Sequence, residues 1–134
     1  MTTADTKYFE AIGRRKTARA RARITPAAKQ SYELNGKGLE QYFVTAELQA
    51  IATDAFTKPK IAQKFKVTAI LSGGGIHSQA ESLRHAISRA LLDYDIQLRG
   101  KLKKLTFLKR DPRAKERRKF GLKKARKSPQ WSKR

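Results

Sequence analysis

Between Lys16 and Ile24 small apolar and basic residues alternate, Ala18, Ala20, Ala22 and Ile24 against Arg19, Arg21 and Arg23. Successive side chains on a strand point to opposite faces, so this period of two predicts a strand with one apolar face and one guanidinium face. Pro26 is expected to end it. A shorter strand is expected over Tyr8–Gly13, with Gly13-Arg14-Arg15 as the turn between the two. Ser31–Leu34 reads as a third strand, closed by the turn signal Asn35-Gly36. A fourth covers Phe65–Leu71, with Phe65, Val67, Ala69 and Leu71 alternating.

The period changes elsewhere. Val44, Leu48, Ile51, Ala52, Ala55 and Phe56 recur at helical spacing and predict an amphipathic helix that stops before Pro59. After Gly73-Gly74-Gly75 a long helix is expected from about Gln79 to Tyr94, with Leu83, Ile87, Ala90, Leu91 and Tyr94 as its buried stripe. Ser78 and Glu81 have the spacing of a capping box at its start. A last helical stretch is expected over Ile96–Leu105. Strands followed by alternating helix, strand and helix suggest an α+β body with a mostly segregated sheet. From Thr106 to Arg134 the few apolar residues keep no period, and Asp111-Pro112, Gly121 and Ser128-Pro129 interrupt the segment. The expected organisation is a globular body over residues 1–105 and an extended arm over residues 106–134, the arm disordered on its own because it buries too little apolar surface. Its 29 residues could reach at most about 95 Å when fully extended.

Charge gives the pattern a partner. The 134 residues hold 32 Lys+Arg and 11 Asp+Glu, a net +21. Residues 1–98 carry 15 basic and 9 acidic side chains, a net +6, whereas residues 99–134 carry 17 and 2, a net +15. So much like charge repels itself unless a polyanion neutralises it. The six cations Arg14, Arg15, Lys16, Arg19, Arg21 and Arg23 lie within ten residues with no carboxylate between them, which favours a nucleic-acid-facing surface over a merely solvated strand face. On a strand the arginines would stand about 6.5 to 7 Å apart, close to the phosphate spacing of one nucleic-acid strand. In the arm, Phe120 and Trp131 sit among cations and could stack on unpaired bases, pack in an RNA groove or fold back onto the body. No cysteine is present, so disulfides and thiolate chemistry are excluded. No apolar run approaches the roughly 20 residues of a membrane helix, and Met1–Thr6 has no apolar signal core, so a cytoplasmic protein is expected.

The triple glycine between strand and helix could cradle a phosphate, because glycine lets backbone approach closely and a helix N-terminus offers N–H donors. Gly75 is followed by Ile76-His77-Ser78 rather than Gly-Lys-Ser/Thr, so it is no P-loop, and the dinucleotide-binding spacing is also missing. Docking of an RNA phosphate and simple turn geometry both remain open. His77, Glu81 and His85 stand at i, i+4 and i+8, but the zinc-helix arrangement is absent. With Ser78 as the cap, His77 would fall outside the helix, so no metal site is expected. No nucleophile accompanies either histidine, and no cofactor is implied.

These residues resemble the bacterial-type family of the ninth protein of the small ribosomal subunit over nearly the whole length. The resemblance is carried by Gly13-Arg14-Arg15-Lys16-Thr17-Ala18-Arg19, Leu34-Asn35-Gly36-Lys37 and Leu39-Glu40-Gln41-Tyr42-Phe43. It continues through Gly73-Gly74-Gly75 with Gln79–Ala86 and Ser88-Arg89-Ala90-Leu91. The ending carries it too, with Arg110-Asp111-Pro112-Arg113, Glu116-Arg117-Arg118-Lys119, Gly121-Leu122-Lys123-Lys124-Ala125-Arg126 and Pro129-Gln130-Trp131-Ser132-Lys133-Arg134. The chain departs from the family at His77 and Ser78, where a Ser or Thr and then Gly are usual, and at Trp131, where Phe or Tyr is commoner.

The resemblance implies a four-stranded sheet with helices on one face, a left-handed βαβ crossover and an extended basic C-terminal tail. It implies a structural constituent of the small-subunit head, not an enzyme, whose partners are 16S-type ribosomal RNA, peptidyl-site tRNA and neighbouring head proteins, with no membrane and no small-molecule substrate. The expected RNA-binding residues are Arg14, Arg15, Lys16, Arg19, Arg21, Arg23, Gly73, Gly74, Gly75, Arg110, Arg113, Arg117, Arg118, Lys119, Lys123, Lys124, Arg126 and Lys127. Ser132, Lys133 and Arg134 are the expected tRNA contacts. Two other classes compete: a small phosphotransferase, which lacks a candidate base and a magnesium-binding carboxylate pair, and a general polyanion-binding protein.

Overall fold

A computed structural model describes residues 7–133. Along the chain it forms β1 (Phe9–Arg15), β2 (Ala18–Ala27), β3 (Ser31–Leu34), α1 (Leu39–Tyr42), α2 (Ala46–Thr57), β4 (Lys64–Ser72), α3 (Ile76–Tyr94), a 3-10 turn (Ile96–Leu98) and α4 (Arg99–Lys104). The sheet has four strands in the order β1-β2-β4-β3. β1 and β4 flank β2 antiparallel, while β3 runs parallel to β4. The β3–β4 link through α1 and α2 is therefore a βαβ unit closing a mixed sheet.

The alternation in β2 and β4 decides which face is covered. Ala18, Ala20, Ala22, Ile24, Phe65 and Val67 are completely buried, and Ala69 and Leu71 nearly so. Helices α2 and α3 cover this face, and the opposite face is left open. The inward side chains of β2 are small, and α3 meets them with small residues of its own, Ala80, Ser82, Ala86, Ser88 and Ala90, all buried. Small side chains on both surfaces let the backbones approach closely. A Cβ placed on Gly13 would lie 2.0 Å from Ser82 O and 2.4 Å from Ala86 N. The buried hydroxyls cost little because each donates to its own helix: Ser82 to Gln79 O and Ser88 to Arg84 O, both at 2.8 Å.

Several expected boundaries move. The β1–β2 turn is Lys16-Thr17, not Gly13-Arg14-Arg15, and Lys16 takes it with φ +53°. Arg14 and Arg15 therefore belong to β1. Pro26 does not end β2 but sits opposite Phe65 inside it. β1 pairs only as far as Ile24, so Pro26 lies where β2 has an open edge and a missing N–H breaks no ladder. Val44 lies outside α2 and is exposed; Thr45 caps the helix, its hydroxyl accepting from Leu48 N at 3.4 Å. α1 has no expected counterpart, being a single turn. α3 starts at Ile76 with Gly75 as its N-cap, so the capping box expected at Ser78 does not form. Ser78 is instead buried in the first turn, and Glu81 turns away to Arg15. Tyr94, expected in the buried stripe, is partly exposed and edges onto Phe9 and Phe65.

The turn signal Asn35-Gly36 is a real turn, both residues having positive φ. Asn35 also extends the sheet: its side chain donates to Leu71 O at 2.9 Å and accepts from Leu71 N at 2.8 Å, as a backbone amide would. Core packing continues past α4 through Phe107, which is buried beneath the Arg84 guanidinium at 4.8 Å from its ring centre. The Met1–Thr6 expectation lies outside the described residues.

Gly13→Ala is expected to destabilise the protein by about 3 kcal/mol, because the new methyl meets backbone rather than a movable side chain. Gly75→Ala, with nothing within 4 Å of its added methyl, should cost under about 1 kcal/mol. Urea unfolding midpoints of the two variants check the contrast.

Candidate nucleic-acid interface

The open sheet face presents Arg19, Arg21 and Arg23 as the alternation predicts, all three exposed. Register adds what the local sequence lacks. Glu10 on β1 lies opposite Arg23, and its carboxylate accepts from Arg23 Nε at 2.8 Å and also from Arg21 Nε. These arginines hold the Glu10 carboxyl below the usual carboxylate range, chiefly through the Arg21 hydrogen bond. Arg23 also lies over the Tyr8 ring at 4.7 Å. One carboxylate thus fixes two guanidinium groups by their Nε atoms, and both side chains remain about half exposed. Arg14 and Arg19, paired across β1 and β2, make no salt bridge among the described residues. Lys64 and Lys66 of β4 join the same face, both exposed. They are missing from the sequence reading although the alternation with Phe65 and Val67 already places them there.

Arg15 behaves differently. Its side chain is only 13% exposed. Nε bonds to Glu81 Oε2 at 2.8 Å, Nη2 lies 3.5 Å from Asp111 Oδ2, and Nη1 donates to the Arg113 carbonyl. A single guanidinium therefore joins β1, α3 and the root of the arm. Asp111 is also gripped by Arg113, with Nη2 at 3.1 Å, and the Arg113 side chain and backbone bonds pull its carboxyl down to about 2. A cavity of about 60 Å³ lies beside this junction, with Arg14, Arg84, His85 and Arg110 among its walls.

The glycine loop is largely committed to the fold. Gly73 and Gly74 have positive φ, and a Cβ on either would strike the β1–β2 hairpin, at 2.5 Å from Thr17 O and 2.9 Å from Ala18 N respectively. Gly75 alone faces open space. Beside it the first turn of α3 carries no acidic residue. Gln79 ties the loop by donating to Gly73 O at 2.9 Å.

His77 lies within α3, not outside it, with Nδ1 3.9 Å from Glu81 Oε1. The stronger partner of Glu81 is Arg15, and no cluster of three His, Asp or Glu able to hold a metal occurs among the described residues. His85 is half-buried, its Nε2 3.3 Å from Leu108 O, while its Nδ1 is buried without a partner. Burial, and then the nearby Arg89, Arg110 and Arg84, push its pKa down, so the ring is neutral at pH 7 and Nε2 donates to Leu108.

Beyond the root, Arg110, Arg117, Arg118, Lys123, Lys124 and Lys127 are exposed, and Lys119 is half-buried. Lys119 and Arg126 both bind Glu116, at 2.7 and 2.8 Å. Phe120 and Trp131 are exposed and pack on nothing in the body. Ser132 and Lys133 are exposed, and Arg134 lies outside the described residues.

The Asp111 carboxylate is depressed in the folded protein, so its grip on the arm root is fully present above the unfolded value of 3.8 and is lost as pH falls through about 2. Asp111→Asn should mimic that loss at neutral pH, moving the backbone amide signal of Arg113 while those of β2 stay in place. Carboxyl and amide NMR shifts followed from pH 5 to pH 2 check both.

The described chain includes no helix long and apolar enough to cross a membrane. Residues 13–134 match the family model described as ribosomal protein S9/S16. The chain is 46% identical over 129 residues to the small ribosomal subunit protein uS9 of Lawsonia intracellularis, covering 96% of this chain and 98% of that one. It is 47% identical over 125 residues to the small ribosomal subunit protein uS9 of Saccharopolyspora erythraea, covering 93% of this chain and 81% of that one. A cationic sheet face, a basic arm and a match that spans nearly every residue lead to one conclusion: this chain belongs to the ribosomal protein S9/S16 family, whose members are structural proteins rather than enzymes.

Proposed function

We propose that the protein is a structural constituent of the small-subunit head, in the cytoplasm, that binds 16S-type ribosomal RNA beside neighbouring head proteins. The observation that carries this reading is the separation of charge into two surfaces. The body offers an open sheet face with Arg14, Arg19, Arg21, Arg23, Lys64 and Lys66. The last 36 residues, α4 and the arm together, add a net +15. A flat face suits folded RNA read by shape, and an arm suits the crevices between RNA helices. Within the 106–134 arm, the residues beyond the Asp111–Arg113 anchor take their final path as RNA forms around them, and the βαβ crossover has the left-handed sense. Gly75 and the first turn of α3 offer one further phosphate contact. Arg15 serves this surface from within, setting the direction in which the arm leaves the body.

The tip has a second task. Ser132, Lys133 and Arg134 reach the peptidyl site and contact tRNA phosphates there. Two cations at the end of a long arm are a small part of the total charge, so their removal separates tRNA contact from assembly.

Binding to small-subunit RNA should fall steeply with salt, by about 0.7 to 0.9 in log–log slope for each phosphate contact, as counterions are released. In a sucrose gradient of cell lysate the tagged protein is expected with small subunits; protein that stays at the top overturns the reading. Deleting Lys133 and Arg134 is expected to leave sedimentation unchanged and to loosen tRNA held in the peptidyl site. Equal tRNA affinity of mutant and wild-type subunits across several salt concentrations would refute the tip assignment.

A further inference from the structure

Part of the arm folds on itself. Glu116 binds both Lys119, three residues on, and Arg126, ten residues on. Between them Leu122 N donates to Lys119 O at 3.2 Å, and Lys123 N donates to Lys127 O at 2.8 Å. Gly121 takes φ +82°, which lets the chain reverse after Phe120. The small loop has an inside and an outside: Lys119, Leu122 and Ala125 are half-buried, while Phe120 is fully exposed at the turn.

A phenylalanine left fully exposed at a turn is a group presented for contact. From Lys115 to Lys127 it is surrounded by eight cations and one carboxylate. An apolar protein pocket that took the ring would have to strip water from these cations without pairing them. RNA neutralises the cations with phosphates and offers flat base faces to the ring. Those faces are accessible only where a base is unstacked, because in a duplex each is covered by its neighbours.

We infer that residues 116–127 are a self-closed loop that inserts Phe120 against an unpaired base of the RNA. This rests on the RNA-binding reading above and adds a ligand to it: a single-stranded, unstacked nucleobase held without regard to its identity. Glu116 is the positioning residue. It carries the wrong charge for a polyanion, so its place in the arm is explained by the loop it closes.

The test uses the full chain with two probes of equal phosphate number, a single-stranded oligouridylate and a blunt RNA duplex. Phe120→Ala should weaken single-strand binding about 5- to 100-fold, with an unchanged salt slope, and leave duplex binding alone. Phe120→Tyr should restore the single-strand affinity and Phe120→Leu should not, since an aliphatic side chain has no ring to stack. Glu116→Gln adds a positive increment, which by charge alone would tighten binding to both probes. Through the loop it should weaken single-strand binding, with no further loss in the Phe120→Ala background. Equal losses on both probes, full activity of Phe120→Leu, or tighter single-strand binding by Glu116→Gln would overturn the inference. If wild-type protein binds neither probe in a salt-dependent way, the RNA-binding reading falls first, and the inference with it.

Discussion

The approach of α3 to the sheet at Gly13 is the constraint on which the other surfaces depend. With less than a methyl's room between Gly13 and the Ser82 and Ala86 backbone, the helix can sit in only one place over β1 and β2. That placement brings Glu81 under Arg15 and Arg84 over Phe107, and so fixes where the arm leaves the body. It also explains the composition of the interface. Alanines on β2 and small residues on α3 bury less area per residue than leucines would, but they let the backbones approach closely. The larger side chains gather at the end of the sheet, where Phe9, Phe65 and Tyr94 meet edge to face.

Charge is sorted rather than merely abundant. Arg15 is consumed by Glu81, Asp111 and a carbonyl, and works as an internal joint. Arg21 and Arg23 are held at one end by Glu10 and remain open at the other. Arg14, Arg19, Lys64 and Lys66 have no such partner among the described residues. Glu10 and Asp111 therefore act by position: each lowers the net charge by one and orients two cations. An oriented guanidinium loses less side-chain freedom on meeting a phosphate than a mobile one does.

Much of this was legible locally. The alternation of Ala and Arg in β2, the apolar alternation in β4 and the helical stripe of α3 are short-range periodicities, and each produced its element. The misreadings share a cause. Ser78 has the right spacing to cap a helix, but Gly75 lets α3 begin earlier, and a buried Ser78 then has no N–H to cap. Gly13 looks like a turn residue, yet its role is to admit α3, seventy residues away in the chain. The six cations at 14–23 look equivalent until Glu10 is set across the strand from Arg23.

The local pattern of residues was enough for the four strands, for α2 and α3 apart from their ends, for the concentration of charge toward the C-terminus, and for the family. These follow from neighbours within a few residues, where side-chain period and composition act directly. Which cations are spent inside the protein and which face outward became visible only with the fold. The fold also shows that Gly73 and Gly74 support a hairpin while Gly75 stands open, and that the arm contains a closed loop with Phe120 outside it. The physical reason is that a charge or a glycine has no fixed role in itself. Its role depends on what the fold places within 3 or 4 Å of it, and that neighbour is usually remote in sequence.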